Sequence, residues 1–555
     1  MEKGDHEVSF GEATEDHRHE IIREVELKTN ITAYLYFVVI TVALGGFTNG
    51  YDVGILSSAI LMLEKDFVLT TVQKGIIVGI TNAGGFFGGI IAGYIADVVG
   101  RKSTAFLNAI FFFTGYVLSS FSTAFPSLLI CRFTVGFAGG ISSMIIPTYI
   151  SEISPVFHRG ELVTWNNLMY TAAQTIAILV SIIFSSVGDW SLSEDLTGQG
   201  RNLSILYIGL FLVPESPRFL IKNGKNEEAV VILQEIYPNS SREFLEDEIK
   251  VIHQAVVEDN KGSYKLLLKY PYRRPLLIAC GLLIIQELAG YDTLMYYAAT
   301  IIKIIGFAAT TTAIIYSLAI SVSSFIMLMV SKYWIDRIGR RKILLSSIAG
   351  TIIGLILLSI GFSFITGFVT KQSSCINYEK VCGACVLDDR CMFSNSNGGI
   401  CVDKNSTVSV TYGTYDICME NHKARAWFTL CAFTLFSMMY SLGFGNITWL
   451  IQSEIYPLNI RGRATGIGAA ANWGMTAIVS MIFLPLAEVI TIPGILLLFA
   501  LFSLLGLIFV YRFLPETVGK SLEEIQDYFV SPILCYMSTS IKDANTLMRT
   551  ERPES

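Results

Sequence analysis

Hydrophobic residues in this chain gather into runs of about 20, the length a helix needs to cross a hydrocarbon core of about 30 Å. Such runs lie near 33–62, 74–97, 104–122, 128–150, 162–186, 203–213, 275–304, 309–335, 343–368, 425–450, 465–490 and 493–514. They predict an all-α membrane protein with twelve transmembrane helices. The sixth run is defective. Only Leu203 to Val213 is cleanly apolar, about 16 Å of helix at 1.5 Å per residue, and Glu194, Asp195 and Arg201 stand just before it. Either the outer half of that helix is frayed and wet, or the gene prediction is wrong there.

The polar breaks set the topology. Arg101-Lys102, His158-Arg159, Arg218, Arg273-Arg274, Arg337 with Arg340-Arg341-Lys342, and Arg461 with Arg463 all fall in alternate loops. Those loops and both termini are therefore expected in the cytoplasm. The loops also repeat. Asp97, Gly100, Arg101 and Lys102 return with the same offsets as Asp336, Gly339, Arg340 and Arg341, a separation of 239 residues. Ser151-Glu152 with Arg159-Gly160 returns as Ser453-Glu454 with Arg461-Gly462, a separation of 302. If the halves are structural copies, most of the 63-residue difference is inserted between Lys342 and Ser453. The expected organisation is a cytoplasmic tail (1–30), a six-helix bundle (31–218) and a cytoplasmic helical linker (219–273), helical at 227–236 and 242–255. A second six-helix bundle (274–516) follows, with an extracellular insertion at 370–423 between helices 9 and 10, and then a cytoplasmic tail (517–555).

The insertion holds six of the ten cysteines: Cys375, Cys382, Cys385, Cys391, Cys401 and Cys418. An even count in a short external segment reads as three disulfides of undetermined pairing, with zinc at the single C-x-x-C as the rival. Asn405-Ser406-Thr407 is a glycosylation sequon in the same segment.

Composition agrees with this picture: 52% of residues are hydrophobic and 15% charged, and the net charge of -6 disfavours a nucleic-acid partner. The first 30 residues are polar and mixed in sign and lack the apolar core of a signal peptide, so the first span is expected to target the chain. All six histidines lie outside the apolar runs, which removes a histidine relay and leaves proton chemistry to carboxylates. Neither a nucleophile with a base, nor a metal cluster, nor a phosphate loop is visible, so an enzyme, a cofactor and a metal are not expected.

Two places violate the hydrophobic pattern. Asp52 and Arg132 are an acid and a base, each alone in an apolar span. Each needs a partner there. An aspartate that parts from its arginine during a conformational change takes up a proton, which is the minimum for proton coupling; a fixed buried ion pair is the other reading. The second place is the stretch from Gln286 to Tyr297, with Glu287, Gly290 and Asp292 at bilayer depth. Such residues face a water-filled cavity or another helix. Gly84, Gly85, Gly88, Gly89 and Gly93 form small-residue faces suited to close helix packing.

The repeated loops, Arg132-Phe133 with Gly136, Pro214-Glu215-Ser216-Pro217-Arg218 and Pro515-Glu516-Thr517 give the chain a resemblance to the sugar porter branch of the major facilitator superfamily over nearly its whole length. Gly50-Tyr51-Asp52, the segment from Arg159-Gly160 through Asn166 to Gln174, and the cysteine-rich insertion look most like the proton/myo-inositol cotransporters. Their plexin-like loop begins with a similar spacing of Cys375, Cys382 and Cys385, while one further cysteine of that loop is Ser394 here.

The resemblance implies Asp52, with Arg132, as the proton site. It implies a solute site of Gln174, Gln286, Glu287, Asp292, Tyr296, Ser324, Trp449, Asn472 and Trp473. It further implies a cytoplasmic gate of Asp97, Arg101, Glu152, Arg159, Asp336, Arg340, Glu454 and Arg461, with surface charge as the plainer reading for Arg101 and Arg340. Amides suit vicinal hydroxyls, and indole faces suit C–H surfaces. Interfacial anchoring is the other reading for Trp449 and Trp473. The chain departs from the family at Asn49, Glu287, Asp292, Ser324 and Asn446-Ile447-Thr448. Loss of the prolines at this last place removes the usual cause of a kink, so span ten is expected to bend less.

Protonated Glu287 and Asp292 would imitate the amides they replace, so solute binding is expected to weaken as pH rises; a cationic solute or a degenerate site are the alternatives. The expected function is inward symport of myo-inositol or a related polyol or hexose with protons, by a monomer most simply placed in the plasma membrane. A proton-independent hexose facilitator and a non-transporting sensor are the alternatives.

Overall fold

The computed structural model describes residues 31–66, 70–122, 124–155, 158–185, 209–238, 240–242, 244–246, 249–250, 252–253, 264–270, 272–307, 310–366, 391–394, 400–403, 412–413, 423–456 and 460–517. Among them the long helices of the first half are α1 (Ala33–Asp66), α2 (Thr71–Val99), α3 (Arg101–Ser120), α4 (Phe125–Ile153) and α5 (Arg159–Ser185). Short helices α6 (Pro217–Lys222), α7 (Asn226–Ile236) and α8 (Tyr264–Leu267) link the halves. The second half begins with one broken span, α9 (Arg273–Leu288), α10 (Tyr291–Tyr296) and α11 (Ala298–Ile305), followed by α12 (Thr310–Ile338) and α13 (Arg340–Thr366). It ends with α14 (Lys423–Met439), α15 (Gly445–Ile455), α16 (Arg461–Ile490) and α17 (Ile492–Phe513).

Eleven helices among the described residues are long and apolar enough to cross a membrane. Most of the expected sixth span, and all of the polar stretch before it, lie outside the described residues. The expected linker helix at 227–236 is present as α7, whereas much of 242–255 lies outside the described set.

Two helices start earlier in the repeated loops than hydropathy alone suggests, because a carboxylate caps each of the two. Glu215 accepts from the backbone N–H of Arg101 (2.9 Å) and Lys102 (3.1 Å) at the start of α3. Its repeat, Glu516, does the same for Arg340 (2.9 Å) and Arg341 (3.1 Å) at the start of α13. These are charge-assisted bonds at helix N-termini, where a negative charge is favoured. The glycine before each cap, Gly100 and Gly339, has φ of 96° and 104°, which explains why both copies of the loop need glycine.

The two halves meet along α2 against α16 and α5 against α12. The glycines of α2 serve both of its neighbours. A Cβ on Gly88 would lie 2.0 Å from the Phe137 carbonyl oxygen of α4, and one on Gly89 would lie 2.9 Å from the Ala470 nitrogen of α16. The helix is thus sandwiched backbone to backbone.

Span ten, without the prolines, still carries an irregular turn. Between α14 and α15 the chain makes a π-helical turn at Tyr440–Phe444. The Ser347 hydroxyl of α13 fills the break: it accepts from the Phe444 N–H (2.8 Å) and donates to the Met439 carbonyl (2.5 Å). A side chain inserted from a neighbouring helix does here what proline does elsewhere.

The insertion adds a small antiparallel sheet to the helical fold, in the order β2-β1-β3, with β1 (Cys391–Ser394), β2 (Ile400–Asp403) and β3 (Tyr412–Gly413). Cys391 and Cys401 are both disulfide-bonded. Cys375, Cys382, Cys385, Cys418 and Asn405 lie outside the described residues.

Gly88→Val is expected to destabilise the protein by about 1–3 kcal/mol by forcing backbones apart. Gly462→Ala, whose added Cβ would meet nothing closer than 3.5 Å, is expected to be neutral. Thermal unfolding in detergent measures both.

Candidate functional site

The broken seventh span makes the site. Gly290, in the left-handed conformation at φ 78°, ends α9 and lets α10 restart at an angle. The break presents Gln286, Tyr291, Asp292 and Tyr296 to a cavity of about 120 Å³ between the halves. Asn166, Asn167, Tyr170, Asn446, Trp449, Asn472 and Trp473 also line it. The wall is amide, hydroxyl and aromatic, with Asp292 as its one carboxylate and no basic side chain.

Several polar groups on this wall are fixed from behind. Gln286 donates to the Tyr440 hydroxyl (2.9 Å) and accepts from Thr448 (2.7 Å), a residue that stands where the family has proline. Tyr440 in turn stacks on Tyr291 with ring centroids 4.0 Å apart. Glu287 is buried just behind the wall and accepts from Asn472 Nδ2 (2.6 Å) and Thr476 Oγ1 (2.8 Å). Tyr296 donates to Asn82 Oδ1 (3.2 Å) in the first half.

Two more bonds cross between the halves at this level: Trp473 Nε1 to Ser143 (3.1 Å) and Asn167 Nδ2 to Asn446 Oδ1 (2.7 Å). Buried side-chain networks of this kind orient their members more sharply than single bonds do. The indole of Trp473 packs on Gly85 and Gly139, so this tryptophan is inside the protein and not an interfacial anchor.

Of the nine expected solute-site residues, Gln286, Asp292, Tyr296, Trp449, Asn472 and Trp473 line the cavity. Glu287, Ser324 and Gln174 are buried outside the lining. Ser324 bonds Ser437 and lies behind Tyr291. The wall position on α5 goes to Asn167, two turns before Gln174 on the same face. Asn82, Asn167 and Tyr170 were missed in the sequence, although an asparagine in an apolar run is itself the signal that finds them.

Asp52 and Arg132 form a buried ion pair at 2.6 Å between α1 and α4, with Tyr116 beside them. The pair lies outside the cavity lining. Five residues beyond Asp52 on α1, Ser57 accepts from the Ala299 N–H of α11 (3.3 Å), so α1 holds both the ion pair and a contact to the second half.

At the end of the bundle that carries the repeated loops, Arg101 grips Glu152 through Nε and Nη2 at 2.9–3.2 Å, and Ser216 donates to the same carboxylate. In the second half Arg340 pairs with Glu454 and donates to Thr517 (3.3 Å). Neither pair is a free surface charge. Buried Arg461 donates to the Tyr456 carbonyl and faces Arg159, Arg218, Glu152 and Glu454. Asp97 joins the halves through Arg463 (3.7 Å), a partner absent from the expected gate, and Glu161 does so through Lys332 (3.1 Å). Asp336 lies on α12, and its side chain is outside the described set.

The sugar (and other) transporter family model matches residues 38–403 and 398–529. The human proton myo-inositol cotransporter is 32% identical over 92% of this chain and 84% of its own length. Probable inositol transporter 2 of Arabidopsis thaliana is 32% identical over 89% of this chain and 91% of its own. The chain belongs to the sugar transporter family, whose members here are transporters and not enzymes. A structure of the proton:xylose symporter XylE of E. coli bound to 6-bromo-6-deoxy-D-glucose superposes with a TM-score of 0.71 at 22% identity, covering 90% of this chain and all of that one. This is the major facilitator fold.

Asp97→Asn combined with Glu161→Gln removes these two ion pairs between the halves and is expected to loosen the closure at this end. A cysteine at position 143 on the cavity wall should then react severalfold faster with an impermeant maleimide from the cytoplasmic face, measured against protein without the reporter.

Proposed function

We propose that this protein carries a neutral polyhydroxy solute, myo-inositol or a related polyol or hexose, together with protons by alternating access. The observation that carries this reading is the Asp52–Arg132 ion pair at 2.6 Å inside the membrane, close to a cavity of amides, hydroxyls and indoles between two repeated halves. Relatives named as a proton myo-inositol cotransporter and an inositol transporter support the same solute class.

In this reading the halves count six helices each, with 203–213 as the sixth, and α6 to α8 join them. The cavity binds solute through Gln286, Asp292, Tyr296, Asn472, Asn167 and the faces of Trp449 and Trp473. Donor–acceptor pairs meet vicinal hydroxyls, and the indoles cover C–H surfaces. A proton on Asp52 cancels the attraction to Arg132 and frees α1 from α4. Because α1 also touches α11 through Ser57, its release weakens one closure while the cytoplasmic ion pairs form or part. Those pairs are partly exposed, worth about 0–1 kcal/mol each, which suits a reversible gate. Arg101, Glu152, Arg159, Asp336, Arg340, Glu454 and Arg461 form the rest of that gate. The insertion is an external disulfide-stapled module glycosylated at Asn405, and the carrier works as a monomer in the plasma membrane.

Asp52→Asn is expected to abolish uphill uptake of labelled inositol driven by a pH gradient in proteoliposomes while leaving counterflow exchange intact. Unchanged accumulation would instead identify a proton-independent facilitator. Deleting residues 372–421 should leave uptake in place; loss of a signalling output with no uptake in either protein would identify a sensor.

A further inference from the structure

Two carboxyls meet at the solute cavity, whose lining holds no basic side chain. Glu287 ends α9 and Asp292 opens α10, and the left-handed turn at Gly290 brings them together. Asp292 lines the cavity, and Glu287, 3% exposed, lies close enough behind it for the two charges to interact. Two carboxyl groups at one cavity with no basic side chain in its lining repel when both are ionised, and a proton on one of them removes the repulsion.

Thr476 asks for the same proton. Its hydroxyl has one hydrogen and two acceptors in range, Glu287 Oε2 at 2.8 Å and the Asn472 carbonyl at 2.9 Å. A proton on Oε2 turns both contacts into hydrogen bonds, with Asn472 Nδ2 donating to Oε1 (2.6 Å). Independently, Asn446 is 2% exposed, lines the same cavity and leaves its Nδ2 without a partner. A buried unpaired donor on a cavity wall points to a ligand that accepts hydrogen bonds.

The titratable groups around the carboxyls are Tyr170 of α5, Tyr291 and Tyr296 of α10, and Tyr440 of the π turn. α16 offers only Asn472 and Thr476. The one cation nearby, Arg132 beyond Tyr296, is paired with Asp52.

We propose that Glu287 and Asp292 form a second proton site, filled and emptied together with a neutral polyhydroxy solute and distinct from the site at Asp52. The proton comes from water on the open side and returns to water on the other, and no bond but O–H forms or breaks. The proposal rests on the polyol reading for its solute, not for the proton.

Two measurements on the full chain in nanodiscs test it. Infrared difference spectra between acid and alkaline pH, without solute, should show a protonated-carboxyl C=O band that Asp52→Asn keeps and Glu287→Gln with Asp292→Asn loses. An unchanged band in the double variant overturns the proton site. Next, myo-inositol binding is followed by tryptophan fluorescence against pH. The Kd should rise about tenfold per pH unit on the alkaline side, the slope of one linked proton. Asp52→Asn should keep that rise, and the double variant should flatten it. A double variant with the full slope overturns the linkage. Choline, whose charge is fixed, separates the cationic alternative: binding that tightens with rising pH and vanishes in the double variant makes the carboxyls a counter-ion and overturns the proposal. If no polyol or hexose binds at any pH, the polyol reading and the linkage fall, and the infrared band alone decides the proton site.

Discussion

A polar atom in hydrocarbon has no water to turn to, and the whole structure depends on how that constraint is met. Helical backbone meets it locally. Wherever the helix is broken, the partner has to come from somewhere else in the fold. Gly290 breaks span seven, and Asn472, Thr476, Tyr440 and Thr448 gather round the polar residues so released. Ser347 bridges the break in span ten. The site is thus the place where broken helices satisfy one another, and removing any partner leaves a buried group unpaired at a cost of about 1–3 kcal/mol.

The interface between the halves is divided by depth. Along α2 and α16 the glycine faces bring backbones into direct contact, a dry surface with little that can be exchanged. At the cavity the halves touch through Trp473 with Ser143 and Asn167 with Asn446, bonds that a solute hydroxyl can replace. At the end that carries the repeated loops they touch through partly exposed ion pairs that water can replace. Close backbone packing and exchangeable polar contacts thus share one interface, while the capping carboxylates Glu215 and Glu516 tie helices together within each half.

Much of this was legible in the residues. The hydropathy runs located the long helices, and Asp52 with Arg132 stood out because neither belongs alone in lipid. The errors have one origin. Gln174 was placed on the wall where the structure uses Asn167, and Arg463 was passed over as the partner of Asp97, because hydropathy fixes where a helix lies in depth but not which way it is turned. The π turn of span ten has no sign in its own residues, because Ser347, which bonds its backbone, lies on another helix.

What the sequence determined by itself was therefore local or periodic: the spans, the repeat, and the carboxylates that break the apolar pattern. Each follows from residues near one another in the chain and from the cost of polarity in hydrocarbon. Only the tertiary structure decided which amides share one cavity, that Glu287 sits behind the wall while Asp292 stands on it, and that a serine shapes span ten. Those outcomes depend on helix rotation and on contacts between residues as far apart as Asn82 and Ser480, which no local pattern encodes.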